Sequence, residues 1–353
     1  MVKPQYFILA ICCFIIIALL LVAFILIYIH LKNIRSKKQQ KWAHMARFLI
    51  RKAIFFEEIQ NHIPITTRVQ KTLTDVSFRR FLTEELLKAK KNLSGSAADN
   101  IRHLYLQLNL DRYALAGLKN RRWYIKAQSI QELSVIGLKE HLVKLYRLTN
   151  NVNDLVRMEA QIAVVNFYGF EGLRFLDVVS YPITEWQQIK LLQELSKISP
   201  DNFNGIEKWL KSANKTVVIF ALKLVQNYHR FELHDVVAEC LNDVNQHVKF
   251  QAIITLGEIF DAGTSDLLMG KFLSSDLKHQ LAIIKVFQNI ATEDEIPFLL
   301  DQLNHANVDI VLQTAGALTK IGPIGINSLT NHELAQEYPL NEIIAHLKNE
   351  LVA

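Results

Sequence analysis

The sequence predicts an all-α protein in which one N-terminal transmembrane helix precedes an α-solenoid of stacked helix pairs. Three observations predict this fold class. The chain opens with a long apolar run, proline and glycine number only 7 and 12 among 353 residues, and one amphipathic stretch recurs at a fixed interval. Scarce proline and glycine, together with abundant Leu, Ile, Ala, Lys and Glu, favour helices over a turn-rich β fold.

The apolar run covers residues 6–29, which are 24 residues without a charged or strongly polar side chain. At about 1.5 Å per residue, a helix of this length reaches roughly 36 Å and can cross a bilayer core of about 30 Å. A cleaved signal peptide is the main alternative, but its apolar region usually has about 7–15 residues and ends at small residues. The run here is longer and ends in "IYIHLKNIR". We therefore predict a transmembrane anchor over residues 1–31.

The charges on the two sides of the run predict its orientation. Only Lys3 and the terminal amine precede it, whereas eight basic residues follow before the first acidic residue, Glu57. The positive-inside rule then predicts a single-pass protein of the inner (cytoplasmic) membrane, with the N-terminus outside and the C-terminal domain in the cytoplasm. The basic residues either contact anionic headgroups or only fix the topology. The candidate membrane-surface contacts are Lys32, Arg35, Lys37, Lys38, Lys41 and Trp42.

Residues 32–117 are predicted to form a basic juxtamembrane helical region. A helix continuous with the anchor is expected up to about residue 63, because a helix rarely continues through a proline such as Pro64. Another helix is expected over 72–93, and "SGSAADN" (94–100) is expected to be a loop.

The distal part of the chain repeats one pattern at a step of 31 residues, starting at Val217, Val248, His279 and Ile310. Within each stretch the core positions have offsets of 0, 4 and 7, which define one face of a helix. In the order of the repeats, these positions hold Ala221, Ala252, Ile283 and Thr314, then Val225, Leu256, Phe287 and Leu318, then Tyr228, Ile259, Ile290 and Ile321. A second helix follows each stretch, marked by Val237, Leu268 and Leu299. Such a pair buries its apolar faces only by stacking on its neighbours, which predicts a solenoid with a C-terminal capping helix over 118–353.

At these residues the sequence resembles the HEAT repeat family in its short bacterial, PBS-lyase-like form. The best matches are "VKFQAIITLGEIFD" (248–261) and "TAGALTKIG" (314–322). The layout of one span followed by such repeats also resembles membrane-anchored HEAT proteins of Bacteroidota, which implies an envelope glycosyltransferase as a partner. HEAT arrays serve many tasks, so the resemblance implies the fold far more than the function.

The sequence predicts no catalytic, cofactor-binding or metal-binding residues. Motifs for dinucleotides, nucleotide phosphates, zinc proteases and serine hydrolases are missing. The similar deoxyhypusine hydroxylases bind two irons through several His–Glu pairs, whereas this chain has only His332–Glu333 and a reversed Glu140–His141. Nothing marks a bilin site of the phycobilin lyases. We interpret His234–Asp235 as an ordinary pair between helices, and Cys240 as a small buried hydrophobe.

The candidate partner-binding residues are Arg121, Arg122, Trp123 and Tyr124. Tryptophan is enriched at binding hot spots, although Trp123, Trp186 and Trp209 at helical spacing are expected more often in a core.

The predicted function is that of a membrane-anchored cytoplasmic scaffold that binds a partner protein on the concave face of its repeats. No small-molecule substrate is expected. Residues 127–353 carry 18 basic and 27 acidic side chains, which argues against nucleic acid as a partner. Two alternatives remain open: an accessory subunit of a membrane enzyme such as an envelope glycosyltransferase, and an enzyme with a site in the solenoid groove.

Overall fold

A computed structural model describes residues 4–55, 62–198 and 204–352, and within them the chain is helical, with short 3-10 turns and no strand. The chain forms two compact units, Met1–Leu145 and Tyr146–Ala353. The helices up to the boundary are α1 (Pro4–Ile54), α2 (Thr67–Thr72), α3 (Val76–Asn92), α4 (Gly95–Gln107), α5 (Asp111–Leu118), α6 (Trp123–Ile136) and α7 (Leu142–Tyr146). The second unit contains α8 (Asp154–Tyr168), α9 (Glu185–Leu195), α10 (Ile206–Leu210), α11 (Lys215–Asn227), α12 (His234–Glu239), α13 (Gln246–Glu258), α14 (Thr264–Phe272), α15 (Leu277–Ile290), α16 (Ile296–Gln302), α17 (Val308–Ile321), α18 (Pro323–Thr330) and α19 (Leu340–Val352).

Helix α1 is one uninterrupted helix of 51 residues. Within its described side chains, Leu19–Ile54 is long and apolar enough to cross a membrane by length and composition, with a mean hydropathy of 1.6 in its most apolar window. The sequence predicted that a helix would continue from the apolar run into the polar region, and α1 does so up to Ile54. The helix was predicted up to about residue 63, but residues 62–66 are not helical, and residues 56–61 lie outside the described residues.

The C-terminal part of α1 belongs to the core of the first unit. All side chains of residues 19–41 are exposed, but Trp42, Ala46, Leu49 and Ala53 are buried. Their spacing of four, three and four residues places them on one face of the helix, which packs against α3 and α4. The same helix that carries the apolar stretch is therefore also a structural element of a folded domain.

The predicted loop over 94–100 is wrong, because α4 begins at Gly95. Ala98, Ile101, Leu104 and Tyr105 are buried at helical spacing, and their burial stabilises a helix that the local Ser and Gly content disfavours. Tertiary packing decides the structure of this segment. The preceding helix α3 agrees with the sequence prediction and begins after Asp75, whose side chain accepts a hydrogen bond from the Ser77 amide at 2.8 Å.

Helices α11, α13, α15 and α17 each begin after an Asn or Asp whose side chain accepts a hydrogen bond from a backbone amide of the first turn. These caps are Asn214, Asn245, Asp276 and Asn307, again at a step of 31 residues. Each cap satisfies amides that have no partner within the helix and stabilises it by about 1 kcal/mol. The repeat therefore fixes the helix starts as well as the apolar faces.

The core positions that the repeat identifies are buried in the first two sets, whereas in the third set Ile259 and Ile290 are buried and Tyr228 and Ile321 are half-buried. The first two sets, headed by Ala221 and Val225, are at most 1% exposed where they are apolar, and Thr314 is fully buried. Helices α11, α13, α15 and α17 pack on one another in chain order. Helices α12, α14 and α16 pack on α13, α15 and α17, respectively. Burial of three or four such side chains per helix, at roughly 2 kcal/mol each, makes this packing the main source of stability in the second unit.

Candidate partner-binding surfaces

Five of the six candidate membrane-surface residues on α1 are exposed, and the sixth, Trp42, is buried. Lys32, Arg35, Lys37, Lys38 and Lys41 all have exposed side chains. Lys38 pairs with Asp75, with 3.0 Å between Nζ and Oδ2, and this hydrogen bond lowers the pKa of the Asp75 carboxyl.

Trp42 lies in the core of the first unit. Its side chain is 9% exposed, and its ring centroid lies 5.7 Å from that of Phe78 and 6.1 Å from that of Phe81. The Lys38 Nζ lies 4.7 Å from the centre of the Trp42 ring. The sequence suggested that Trp42 contacts the membrane surface, but its burial leaves little of the ring for lipid. The reason is that α1 docks onto α3 immediately after its exposed polar stretch.

The second candidate cluster, Arg121–Tyr124, is exposed throughout at the start of α6. Trp123 and Tyr124 are 46% and 44% exposed, and their rings make an edge contact with centroids 5.8 Å apart. Arg122 Nη1 donates to the Tyr124 hydroxyl at 3.2 Å. These contacts hold two aromatic side chains side by side on the surface, which suits a binding site.

Of the three tryptophans of the repeat region, two differ from the expectation that they lie in a core. Trp209 is buried, and its indole Nε1 donates to Asp177 Oδ1 at 2.8 Å. Trp123 and Trp186 are exposed. Trp186 lies under Lys190, whose Nζ is 4.8 Å from the ring centre. Helical spacing alone did not distinguish the two environments.

An apolar groove of about 590 Å³ runs between α13 and α15 and was not predicted from the sequence. Its floor and walls include Phe250, Ile254, Leu281 and Val286. These residues lie beside the buried repeat positions of α13 and α15. The two helices therefore carry a second strip of apolar side chains in addition to the face that is buried in the repeat. The signal that would have indicated the groove is this second apolar strip along α13 and α15.

A glycine brings the two helices close together at one end of the groove. A Cβ added to Gly257 would lie 2.9 Å from both γ-carbons of Val286, closer than real contacts allow. At the other end the walls are charged: Lys278 Nζ lies 4.4 Å from the Phe250 ring centre. Lys285 lines the groove two helical turns further along and is exposed. The groove is therefore apolar inside and mainly basic along the α15 edge.

A buried histidine fixes the starts of α13 and α15 behind Phe250. His279 is 3% exposed; its Nε2 donates to the Gln246 carbonyl at 2.9 Å, and its Nδ1 lies 2.5 Å from Asp276 Oδ1. The hydrogen bond from His279 lowers the pKa of the Asp276 carboxyl. Its ring also makes an edge contact with Phe250, with centroids 6.0 Å apart. Phe250, which lines the groove, therefore packs against a histidine ring whose two nitrogens are both hydrogen-bonded.

The described residues contain no group of three or more His, Cys, Asp and Glu side chains that could hold a metal ion. His234 Nε2 lies 2.8 Å from the Thr264 hydroxyl, while Asp235 is fully exposed. Cys240 is buried, which raises the pKa of its thiol to about 11 and keeps it protonated. Cys240 is therefore a buried thiol, whereas of the pair His234–Asp235 only the histidine is held by a neighbouring helix.

No family model matches the sequence, and no curated protein matches it. Among solved structures, an engineered protein is similar at 15% identity and a TM-score of 0.39, with 87% of this chain and 93% of that chain covered. The complex of CpcE and CpcF of phycocyanin lyase from Nostoc sp. PCC7120 is similar at 13% identity and a TM-score of 0.25, covering 84% and 97%. Human deoxyhypusine hydroxylase in complex with glycerol has 11% identity, a TM-score of 0.28 and coverage of 88% and 97%. Similarities of this size do not place the chain in a family.

Proposed function

We propose that this chain is a single-span membrane protein whose HEAT-like helix pairs stack as an α-solenoid and bind a partner protein, without catalysis. The observation that carries the binding role is the groove between α13 and α15. Its apolar floor, formed by residues such as Ile254 and Leu281, is open to solvent and has the size to receive side chains of a partner helix or loop.

The exposed apolar stretch of α1 supports the membrane anchor. Its described side chains from Leu19 to Ile29 are exposed on every side of the helix, which is unfavourable in water and favourable in a lipid environment. The excess of basic residues after this stretch favours, under the positive-inside rule, a cytoplasmic location for the rest of the chain. A membrane anchor raises the effective concentration of a partner that is itself held at the membrane.

The test of the groove is site-specific photocrosslinking in intact cells with the full-length protein. A photoreactive phenylalanine at position 254 is expected to crosslink one partner protein. The matched control carries it at Leu273, an exposed apolar residue that does not line the groove. Ile254→Glu should abolish recovery of that partner, and Leu273→Glu should leave it unchanged. Equal crosslinking from both positions, or none from position 254, would contradict the binding role of the groove.

The orientation is tested separately with reporters fused after Ala353. A reporter that works only in the cytoplasm should be active, and one that works only outside it should be inactive. The opposite pattern would refute the proposed topology without bearing on the groove.

A second candidate function is an accessory subunit of a membrane enzyme, such as an envelope glycosyltransferase. The exposure of the described apolar side chains of α1 from Leu19 to Ile29 on all sides favours it, because this segment is then available to contact another membrane protein. Replacing residues 6–29 by an unrelated apolar helix of equal length distinguishes the two. A simple tether keeps its function after the exchange, whereas a subunit that contacts its enzyme through the span loses it.

A further inference from the structure

The groove between α13 and α15 lies where the helix packing departs from that of the neighbouring repeats. In the packings of α11 on α13 and of α15 on α17, two glutamine side chains form a hydrogen bond across the junction. The two pairs are Gln226–Gln251 and Gln288–Gln313, each with 2.9 Å between Nε2 and Oε1. At the same positions of the repeat, one step of 31 residues away, the junction of α13 and α15 has Gly257 and Ala282, and both line the groove. Two small residues therefore replace the glutamine bridge at the junction where the groove lies.

The groove has the length and the walls to receive an α-helix. Its lining residues run from Leu277 to Asn289 on α15, which is about 18 Å along the helix axis and matches a helix of about three turns. The backbone groups of α13 and α15 along the groove are already used in their own helical hydrogen bonds. An extended partner segment would leave its N–H and C=O groups without partners against the apolar side chains, whereas a helix satisfies them internally. The groove therefore favours a helical partner segment.

Two lysines on α15 indicate the charge of this partner segment. Lys278 and Lys285 both line the groove, and their side chains are exposed. They lie two helical turns apart, which places them about 10 Å from each other along the same side of the helix. Lys278 covers the Phe250 ring, and neither lysine forms an ion pair with another described residue. The opposite edge carries the exposed Glu258 on α13, so acidic side chains of a partner belong on the α15 edge.

We propose that the partner protein binds this groove through an amphipathic α-helix with an acidic edge. The apolar face of that helix packs on Phe250, Ile254 and Leu281. Two of its carboxylates, about two turns apart, pair with Lys278 and Lys285. This role rests on the proposed function, in which the groove binds a partner protein, and specifies the chemistry of that partner. The apolar contacts supply most of the affinity, while the ion pairs at the edge select an acidic helix over a basic one and speed its association.

The test uses the partner that a photoreactive phenylalanine at position 254 of the full-length protein captures in intact cells. A carbodiimide, which joins a lysine amine to a carboxylate in contact with it, is applied to the complex purified in detergent. Mass spectrometry should then show Lys278 or Lys285 joined to an Asp or Glu in a helical segment of the partner. Lys278→Glu combined with Lys285→Glu should lower the yield of photocrosslinked partner by about tenfold, because two attractive pairs become repulsive. Lys278→Arg combined with Lys285→Arg keeps both charges and should retain the yield.

A variant that fills the groove and two matched controls complete the test. Ala282→Gln should also lower the yield by about tenfold, because it places in the groove the side chain that the equivalent positions of the neighbouring repeats carry. One control is Gln313→Ala, at the equivalent position of the next repeat, and the other is Lys320→Glu, at an exposed lysine of α17 that does not line the groove. Both should leave the yield unchanged. Circular dichroism of each variant checks that its helices are intact.

The outcomes separate the acidic helix from the binding role of the groove. If a partner is captured and its yield is the same with Lys278→Glu and Lys285→Glu as with Lys320→Glu, the acidic helix is overturned and the groove remains the binding site. Carbodiimide links that lie only in a non-helical segment of the partner lead to the same conclusion. If position 254 captures no partner, the proposed function fails and the acidic helix fails with it.

Discussion

The buried carboxyl of Glu132 makes the stability of the first unit depend on pH. Burial raises its pKa from 4.5 to about 7, against the opposing effect of the hydrogen bond from Tyr105. Because the pKa is higher in the folded state, the folded unit holds the proton more tightly than the unfolded chain does. The stabilising contribution is therefore complete below pH 4.5 and is lost as the pH rises through 7.

The size of the effect follows from this difference in pKa. At about 1.4 kcal/mol per pKa unit, ionisation of Glu132 costs the folded unit roughly 3 kcal/mol. Glu132→Gln keeps an acceptor for Tyr105 and cannot ionise, so its stability should lack this dependence. Relative to the natural protein, the variant should gain about 1 kcal/mol at pH 5 and about 3 kcal/mol at pH 8, taking the low-pH stabilities as equal.

Hydrogen-exchange mass spectrometry of the full-length protein measures the pH dependence of the local stability of the first unit. Peptides from α6 report on the first unit, and peptides from α17 serve as an internal reference. Glu84→Gln is the matched control, since Glu84 and Glu132 line the same cleft of the first unit but Glu84 is exposed. After correction for intrinsic exchange, protection of α6 should fall from pH 5 to pH 8 in the natural protein and in Glu84→Gln, but not in Glu132→Gln. Equal pH dependence in all three would refute the reasoning.

Three further substitutions test the packing and the caps. Trp42→Ala should destabilise the first unit by about 3–5 kcal/mol, because it removes a ring packed on Phe78. The loss should appear as reduced hydrogen-exchange protection in α1 and α3. Unchanged protection would mean that α1 does not pack on α3. Leu256→Ala, at a fully buried repeat position, should cost about 2–5 kcal/mol in urea unfolding of the second unit, and a loss below 1 kcal/mol would contradict its core placement. Asn307→Ala should cost about 1 kcal/mol, because it removes the side chain that caps α17, and Asn307→Asp should retain most of the stability.

The repeat region shows which features can be predicted from a sequence. A step of 31 residues predicted the buried faces of α11, α13, α15 and α17, and their Asn and Asp caps follow the same step. Both signals are local, since a helical face and a first-turn cap depend only on residues within a few positions. The anchor stretch and its continuation into α1 were predictable for the same reason.

The surfaces depend on contacts between distant residues and were harder to predict. Trp42 looked like an interfacial residue because it follows a basic stretch, but α3 covers it from more than thirty positions away. The groove needs Ile254 and Leu281 on separate helices, and the buried Glu132 needs the hydroxyl of Tyr105 on another helix. Neither pair has a spacing that a periodic pattern reveals. The exposure of Arg121–Tyr124 could not be predicted from the sequence either, because it depends on which residues pack around the start of α6.

The continuity of α1 has a mechanical consequence. Twelve exposed residues, 30–41, separate the apolar stretch from Trp42 and, under the proposed membrane span, would hold the packed part of the first unit about 18 Å from the bilayer. A typical tilt of about 20° would then displace the end of this helical segment sideways by roughly 6 Å. Each residue inserted into the segment would turn the first unit by about 100° around the helix axis. The number of residues in this helical segment would thereby set both the distance and the facing direction of the packed part of the first unit relative to the apolar stretch.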